Sequence, residues 1–284
     1  AAEESGTKLR IQEPVPPLRH VCRRGEDVEA GQTLLPANRV LRPQDVGILA
    51  SIGISSVSVI RRPRVTILIT GDELLPCGSK PEGYRIVDSN SIMLAALVRR
   101  DGGIVSSVQL LPDQREPIRQ AMLEPSFDVL LACGGTSVGK EDHIPSLLSE
   151  LGELSIHGLA LRPASPAGIG FLQGRPVFLL PGNPVSCLCA YDLFSGRAIR
   201  RLGGRPTAMP YRVRRLTLAG KIISAVGRVD YVRVRVENDK VFPLAVSGAS
   251  LLSTTVASDG FVLVDRDREG HAPGEEVDVY LYDS

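Results

Sequence analysis

The chain has 284 residues, 43% apolar and 23% charged, enough apolar material for a sizeable core, so wholesale disorder is excluded. Its 33 Lys and Arg against 32 Asp and Glu leave a net charge of +1, without the basic excess of a dedicated nucleic-acid binder. No apolar run reaches the roughly 18 residues a membrane span needs, and the polar, acidic start Ala1-Ala2-Glu3-Glu4 with five scattered cysteines predicts a reduced, cytoplasmic protein without a signal peptide.

Three stretches differ in hydrophobic period. Residues 1–62 hold short strand-like runs, Leu34-Leu35 and Val57-Ser58-Val59-Ile60, around a helical patch near 43–53 that Pro43 opens. They read as a partial, β-rich lobe with little core of its own. In residues 63–203 strands alternate with helices. Val65 to Thr70 is a β-branched run fit to be buried on both faces, and Asp88-Ser89-Asn90 offers caps for a helix that Gly102-Gly103 ends. Ile104–Leu111 then reads as a strand, Gln114–Leu123 as a helix and Asp128–Cys133 as a second buried strand. Pro145–Leu151 is helical, Pro176–Leu180 a strand, and the stretch from Asn183 to about Leu202 helical again. Such alternation predicts an α/β class: a central, mostly parallel sheet with helices on both faces. From 204 to 284 the period falls to two in Arg212–Leu218 and Tyr231–Val236. Phe261–Val264 and Val277–Leu281 add strands, so a small C-terminal antiparallel β domain is expected.

Open α/β sheets bind ligands outside the carboxyl ends of their strands. Three unusual loops fall there: Thr70-Gly71-Asp72-Glu73, Cys133-Gly134-Gly135-Thr136-Ser137-Val138-Gly139 and Leu180-Pro181-Gly182-Asn183-Pro184. The stretch Gly134 to Lys140 nearly spells a P-loop, but Glu141 stands where the magnesium-binding hydroxyl belongs, so a P-loop is rejected. What remains is a glycine-rich turn whose backbone N–H groups can approach an anion closely, with Thr136 and Ser137 adding hydroxyls. In the third loop Gly182 permits a positive φ, and Asn183 or Ser186 can cap the following helix. Asp72, Glu73, Asp88, Glu141 and Asp142 cluster at strand ends, fitting either a hard cation such as Mg²⁺ bridging to phosphate or separate caps and solvated charges. The four histidines show no zinc-like spacing, Cys187-x-Cys189 reads as helix packing, and no G-x-S-x-G elbow occurs.

Taken together, Thr70-Gly71-Asp72-Glu73-Leu74, Asp88-Ser89-Asn90, Gly134 to Gly139 with Asp142, and Pro181 to Ser186 closely resemble the MoeA family, the molybdopterin molybdenumtransferases, which includes the E domain of gephyrin. Arg24-Gly25-Glu26-Asp27 upstream, and Ser247-Gly248-Ala249-Ser250 with Ala257-Ser258-Asp259-Gly260 downstream, extend the resemblance over residues 8 to 284. It implies insertion of molybdate into the dithiolene of adenylylated molybdopterin with release of AMP, a divalent cation being required. Gly134, Gly135, Thr136, Ser137 and Gly139 would hold the pterin-phosphate end, and Asp142, Glu73 and Asp72 the metal and pyrophosphate. Pro181, Gly182, Asn183 and Ser186 would close the other wall, while Asp27 would line the cleft across a homodimer. Arg162-Pro163-Ala164-Ser165-Pro166 stands where many members have Lys-Pro-Gly-Lys-Pro; Arg162 would keep an anion contact as a planar fork, but Ser165 cannot replace the second charge. Family chains also carry a segment with Ser-Ala-Met-Asp-Gly that is not found here. The expectation is therefore molybdopterin binding with poor insertion until that segment is restored. The competing readings are a molybdopterin adenylyltransferase and a non-catalytic molybdopterin-binding or scaffold module.

Overall fold

The computed structural model describes residues 2–11, 14, 16–124, 127–135, 142–245 and 248–282. The chain forms two compact units, Ala1–Val57 and Ser58–Ser284. Among the described residues no helix is long and apolar enough to cross a membrane.

The first unit carries an antiparallel hairpin, β1 (Ala2–Ser5) and β2 (Lys8–Ile11), and one helix, α1 (Pro43–Ser51). Asp45 organises the start of α1: its carboxylate accepts bonds from the side chains of Arg39 and Arg42 and from the Arg42 backbone. The bonds from Arg42 and then Arg39 hold it well below the usual carboxylate range. Leu34-Leu35 and Val57 to Ile60, expected as strands, are irregular. Among the described residues neither run pairs with a strand ladder.

The second unit opens with β3 (Arg64–Thr70), a minor pair β4 (Leu74–Leu75) and β5 (Ile86–Val87), helix α2 (Asn90–Arg100), β6 (Ile104–Leu111), α3 (Arg115–Leu123) and β7 (Val129–Cys133). Helix α4 (His143–Leu151), β8 (Glu153–His157), β9 (Leu161–Arg162), β10 (Gly168–Leu172), β11 (Arg175–Leu180) and α5 (Pro184–Ala190) follow. A π-turn over Tyr191–Ser195 joins α5 to α6 (Gly196–Leu202). The sheet order is β6-β3-β7-β11-β10-β8; β6, β3, β7 and β11 are parallel, and β10 and β8 add an antiparallel edge that the sequence analysis lacked. Alternation within the buried strands divides two cores. Val65, Ile67, Ile69, Val129, Leu131 and Cys133 meet α2 and the α5–α6 run, while Leu68, Leu130, Ala132, Val177 and Leu179 meet α3 and α4. Continuous apolar runs are required because both faces of these strands are covered. Helix α4 begins at His143, two residues before the expected Pro145, since a proline in the first turn forfeits no helical hydrogen bond.

The C-terminal part contains β12 (Arg212–Leu218), β13 (Ile222–Ile223), β14 (Val229–Glu237), β15 (Lys240–Ala245), α7 (Leu252–Val256), β16 (Gly260–Val264), β17 (Gly270–His271) and β18 (Glu276–Leu281). The order β15-β12-β18-β16-β14-β9 closes through a β14–β15 pairing, mainly antiparallel with short parallel contacts between β12 and β15 and between β14 and β9. Valines fill the interior, and Tyr231, Phe261 and Tyr280 stack on the outside against the α/β domain.

A buried polar network ties these parts together. Arg100 Nη2 donates to Asp101 at 3.0 Å and Asp192 at 2.9 Å, the Tyr211 hydroxyl donates to Asp192 at 2.8 Å, and Arg200 reaches Asp101 at 2.7 Å. Burial pushes the Asp192 carboxyl up, and Arg100 and Tyr211 pull it back. Asp192 lies fully buried in the π-helical stretch, an irregularity that often marks a constrained site. Asp192→Ala leaves Arg100 short of a partner and should destabilise the chain by about 3 kcal/mol. A lower urea midpoint at unchanged slope is the expected reading.

Candidate functional site

The parallel strands β3, β7 and β11 end side by side, and their loops enclose one cavity of about 600 Å³. Because β6 lies on one side of β3 and β7 on the other, the connections diverge there, which opens a crevice at the strand ends. Gly134 N–H donates to the Leu180 carbonyl at 3.2 Å, holding the second and third loops together. Of the residues expected to act, Glu73, Gly134, Gly135, Asp142, Pro181, Gly182 and Asn183 all line the cavity.

The two loop glycines are used differently from Gly182. Gly134 and Gly135 have φ of +91° and +52°, and a Cβ on Gly134 would collide with the Thr70 carbonyl. A Cβ on Gly135 would lie 3.0 Å from Thr70 Oγ1 and 3.8 Å from both Asp113 Oδ1 and Asp142 Oδ1. Gly182, expected to exploit a positive φ, does not. Its backbone turns directly into α5, and Asn183 caps that helix without a side-chain hydrogen bond. Thr136, Ser137 and Gly139 lie outside the described residues.

Other expected residues stand elsewhere. Asp72 is off the wall: its Oδ1 accepts the Asp113 N–H at 3.1 Å while Asp113 Oδ2 accepts its N–H at 3.2 Å, coupling two loops. Ser186 is buried within the first turn of α5. Arg162 is also off the wall, because its guanidinium pairs with the fully buried Asp230, which also accepts from Ser224 at 2.7 Å. Asp27 is an exposed residue of the first unit. The residues that sequence reasoning passed over are Asp113, Cys133, Pro166 and Asn90 as wall groups. Asp113 had a readable signal, since it follows the predicted Ile104–Leu111 strand at the same strand-end level as the other loops.

The electrostatics are unusual. Helices α2, α4 and α5 all begin at the cavity, presenting their positive ends to it. Glu73, Asp88, Asp113 and Asp142 face the same space, and no Lys, Arg or His lines it among the described residues. Asp88 is occupied in capping, its Oδ1 accepting the Ser91 N–H at 3.1 Å. Asp113 and Asp142 flank Gly135 with hard oxygen donors. Among the described residues no three His, Cys, Asp or Glu side chains form a complete metal cage. One or two carboxylates completed by ligand phosphate is the donor set that suits Mg²⁺. Below the floor, the Cys133 and Cys187 sulfurs are 3.8 Å apart, and Cys187 is pushed up by its hydrogen bond with Cys133 and by burial.

Comparison with known proteins finds similarity to one family. Residues 66–201 match the model of a probable molybdopterin binding domain, residues 215–282 the MoeA C-terminal region (domain IV), and residues 1–53 the MoeA N-terminal region (domains I and II). A molybdopterin biosynthesis protein of Methanocaldococcus jannaschii is 34% identical, the alignment covering 96% of this chain and 68% of that one. A molybdopterin molybdenumtransferase of Haemophilus influenzae is 30% identical over 97% of this chain and 70% of its own. A MoeA crystal structure from Pyrococcus horikoshii superposes with a TM-score of 0.81 at 29% identity, covering all of this chain and 70% of that one.

Proposed function

Because the chain belongs to the MoeA family of molybdenum cofactor biosynthesis proteins, we propose that it inserts molybdate into the dithiolene of adenylylated molybdopterin and releases AMP. The observation that carries this reading is one cavity combining three helix N-termini with four carboxylates and no basic side chain among the described residues. Helix ends and bare glycine backbone favour a phosphate-bearing ligand, and the carboxylates tolerate it only with a cation between them.

In this reading the 63–203 domain holds the ligand and the 204–284 domain supports it. The Gly134 and Gly135 backbone binds the phosphate end; Thr136, Ser137 and Gly139 are assigned to the same end on sequence grounds. Asp142 and Asp113 would hold Mg²⁺ together with the ligand phosphate, and Glu73, folded back over Gly71, completes the acidic wall. Bound Mg²⁺ would offset the charge of the pyrophosphate and of the departing AMP. Pro181, Gly182 and Asn183 form the opposite wall, which orients the ligand and excludes water. Residues 16–57 expose Val21, Val40, Leu41, Val46, Ile52, Ile54 and Val57 and bury no apolar side chain, which supports a homodimer.

The test is AMP release from adenylylated molybdopterin, with and without molybdate and Mg²⁺, across concentrations where sedimentation resolves monomer from dimer. Release that requires both additions is the expected result. Binding of molybdopterin with no AMP formed would instead make the chain a non-catalytic module.

A further inference from the structure

Two polar atoms buried in residues of the cavity wall have no hydrogen-bond partner among the described residues: Thr70 Oγ1 and Asn90 Oδ1. Their residues are 3% and 7% exposed. A buried acceptor without a partner is costly, and an atom left so at a ligand cavity points to a group the ligand supplies.

The orientation of the Asn90 amide follows from its own contacts. Nδ2 donates to the Gly182 carbonyl at 2.7 Å and lies 3.3 Å from Cys133 Sγ. Turned over, it would set two oxygens against each other, so Oδ1 is the atom left unfilled. Asn90 thereby also latches the start of α2 to the ends of β7 and β11. The two unfilled atoms ask for opposite chemistry. The Thr70 hydroxyl can donate and stands beside Gly134 and Gly135, so it suits an anion. An amide oxygen only accepts, so it disfavours an ionised phosphate oxygen and calls for an N–H or O–H donor such as a ring amine.

Resting on the molybdopterin reading above, we propose that Asn90 is a specificity-determining residue whose Oδ1 accepts a hydrogen bond from the 2-amino group of the pterin ring. The ligand then lies with its ring edge at Asn90 and its phosphate end at Thr70, Gly134 and Gly135. Rings of the same shape that present a carbonyl at that edge are rejected.

The full chain is titrated with 6-hydroxymethylpterin phosphate and with its lumazine counterpart, in which a carbonyl replaces the 2-amino group, following ring fluorescence. The wild type should bind the pterin at least about tenfold more tightly. Asn90→Ser, which withdraws the amide oxygen from that edge, should lose this preference. A purely structural role would weaken both probes alike and leave their ratio unchanged. An unchanged ratio in Asn90→Ser, or a wild type that binds the two probes equally, overturns the assignment; the second needs no variant to fold. Failure of the wild type to bind molybdopterin itself would overturn the functional reading beneath it, which is a separate outcome.

Discussion

Gly135→Val should keep a cooperative unfolding transition and lose molybdopterin binding by at least about a hundredfold, or roughly 2.8 kcal/mol. Two effects act at the same place. At φ +52° a β-branched residue occupies the left-handed region at a cost of about 1–2 kcal/mol. Its side chain also projects into the gap between Thr70, Asp113 and Asp142, where the phosphate end is assigned. The fold should survive because Gly135 lies past the end of β7 and belongs to neither core cluster. Gly134→Ala is the contrasting control. Its Cβ meets the Thr70 carbonyl, at the end of a central strand, so that variant should lose stability as well as binding. Calorimetry of the folded Gly135→Val chain checks the expectation, and unchanged affinity would remove the glycine loop from the site.

How much of this was legible beforehand varies with how local the cause is. Val65 to Thr70 and Val129 to Cys133 announced themselves because a strand covered on both faces must be apolar throughout. The loops at their ends followed from topology, and the cavity gathers parts of all three. Strands β8 and β10 were missed since Glu153–His157 is mostly exposed and Gly168–Leu172 carries two glycines, so both read as loop. Their strand character comes from pairing, β10 with β11 and β8 with β10, which is a tertiary fact. Leu34-Leu35 failed the other way, with propensity and no partner. Arg162 was expected as an anion ligand from the family resemblance, yet Asp230 sits 68 residues away and reaches it through the β9–β14 pairing. Asn90 needed the fold too, because it matters through what stands opposite it, whereas Asp113 could be read from its place after the Ile104–Leu111 strand.

The charge balance of the cavity sets the second expectation, for Asp142→Asn. Glu73, Asp88, Asp113 and Asp142 face a ligand that is itself anionic, and among the described residues no basic side chain offsets them. Coulomb repulsion at such separations is screened little inside a cavity only partly open to water. With Mg²⁺ present the carboxylate at 142 is therefore favourable, and it matters most as negative charge builds on the departing phosphate. Removing that charge at nearly constant shape should lower Mg²⁺-dependent turnover by about 10² to 10³. Affinity for molybdopterin should fall by less than about tenfold, since helix ends and glycine backbone remain. Without Mg²⁺ the sign reverses: one carboxylate fewer means less repulsion, so the variant should bind the ligand more tightly than the wild type. Asp113→Asn should behave in the same way, because its Oδ1 flanks Gly135 at the same distance as that of Asp142. Turnover and ligand affinity, each measured with Mg²⁺ and with chelator, separate the cases. Equal losses in turnover and affinity, or weaker binding by the variants under chelator, would make these carboxylates direct ligand contacts and not holders of the cation.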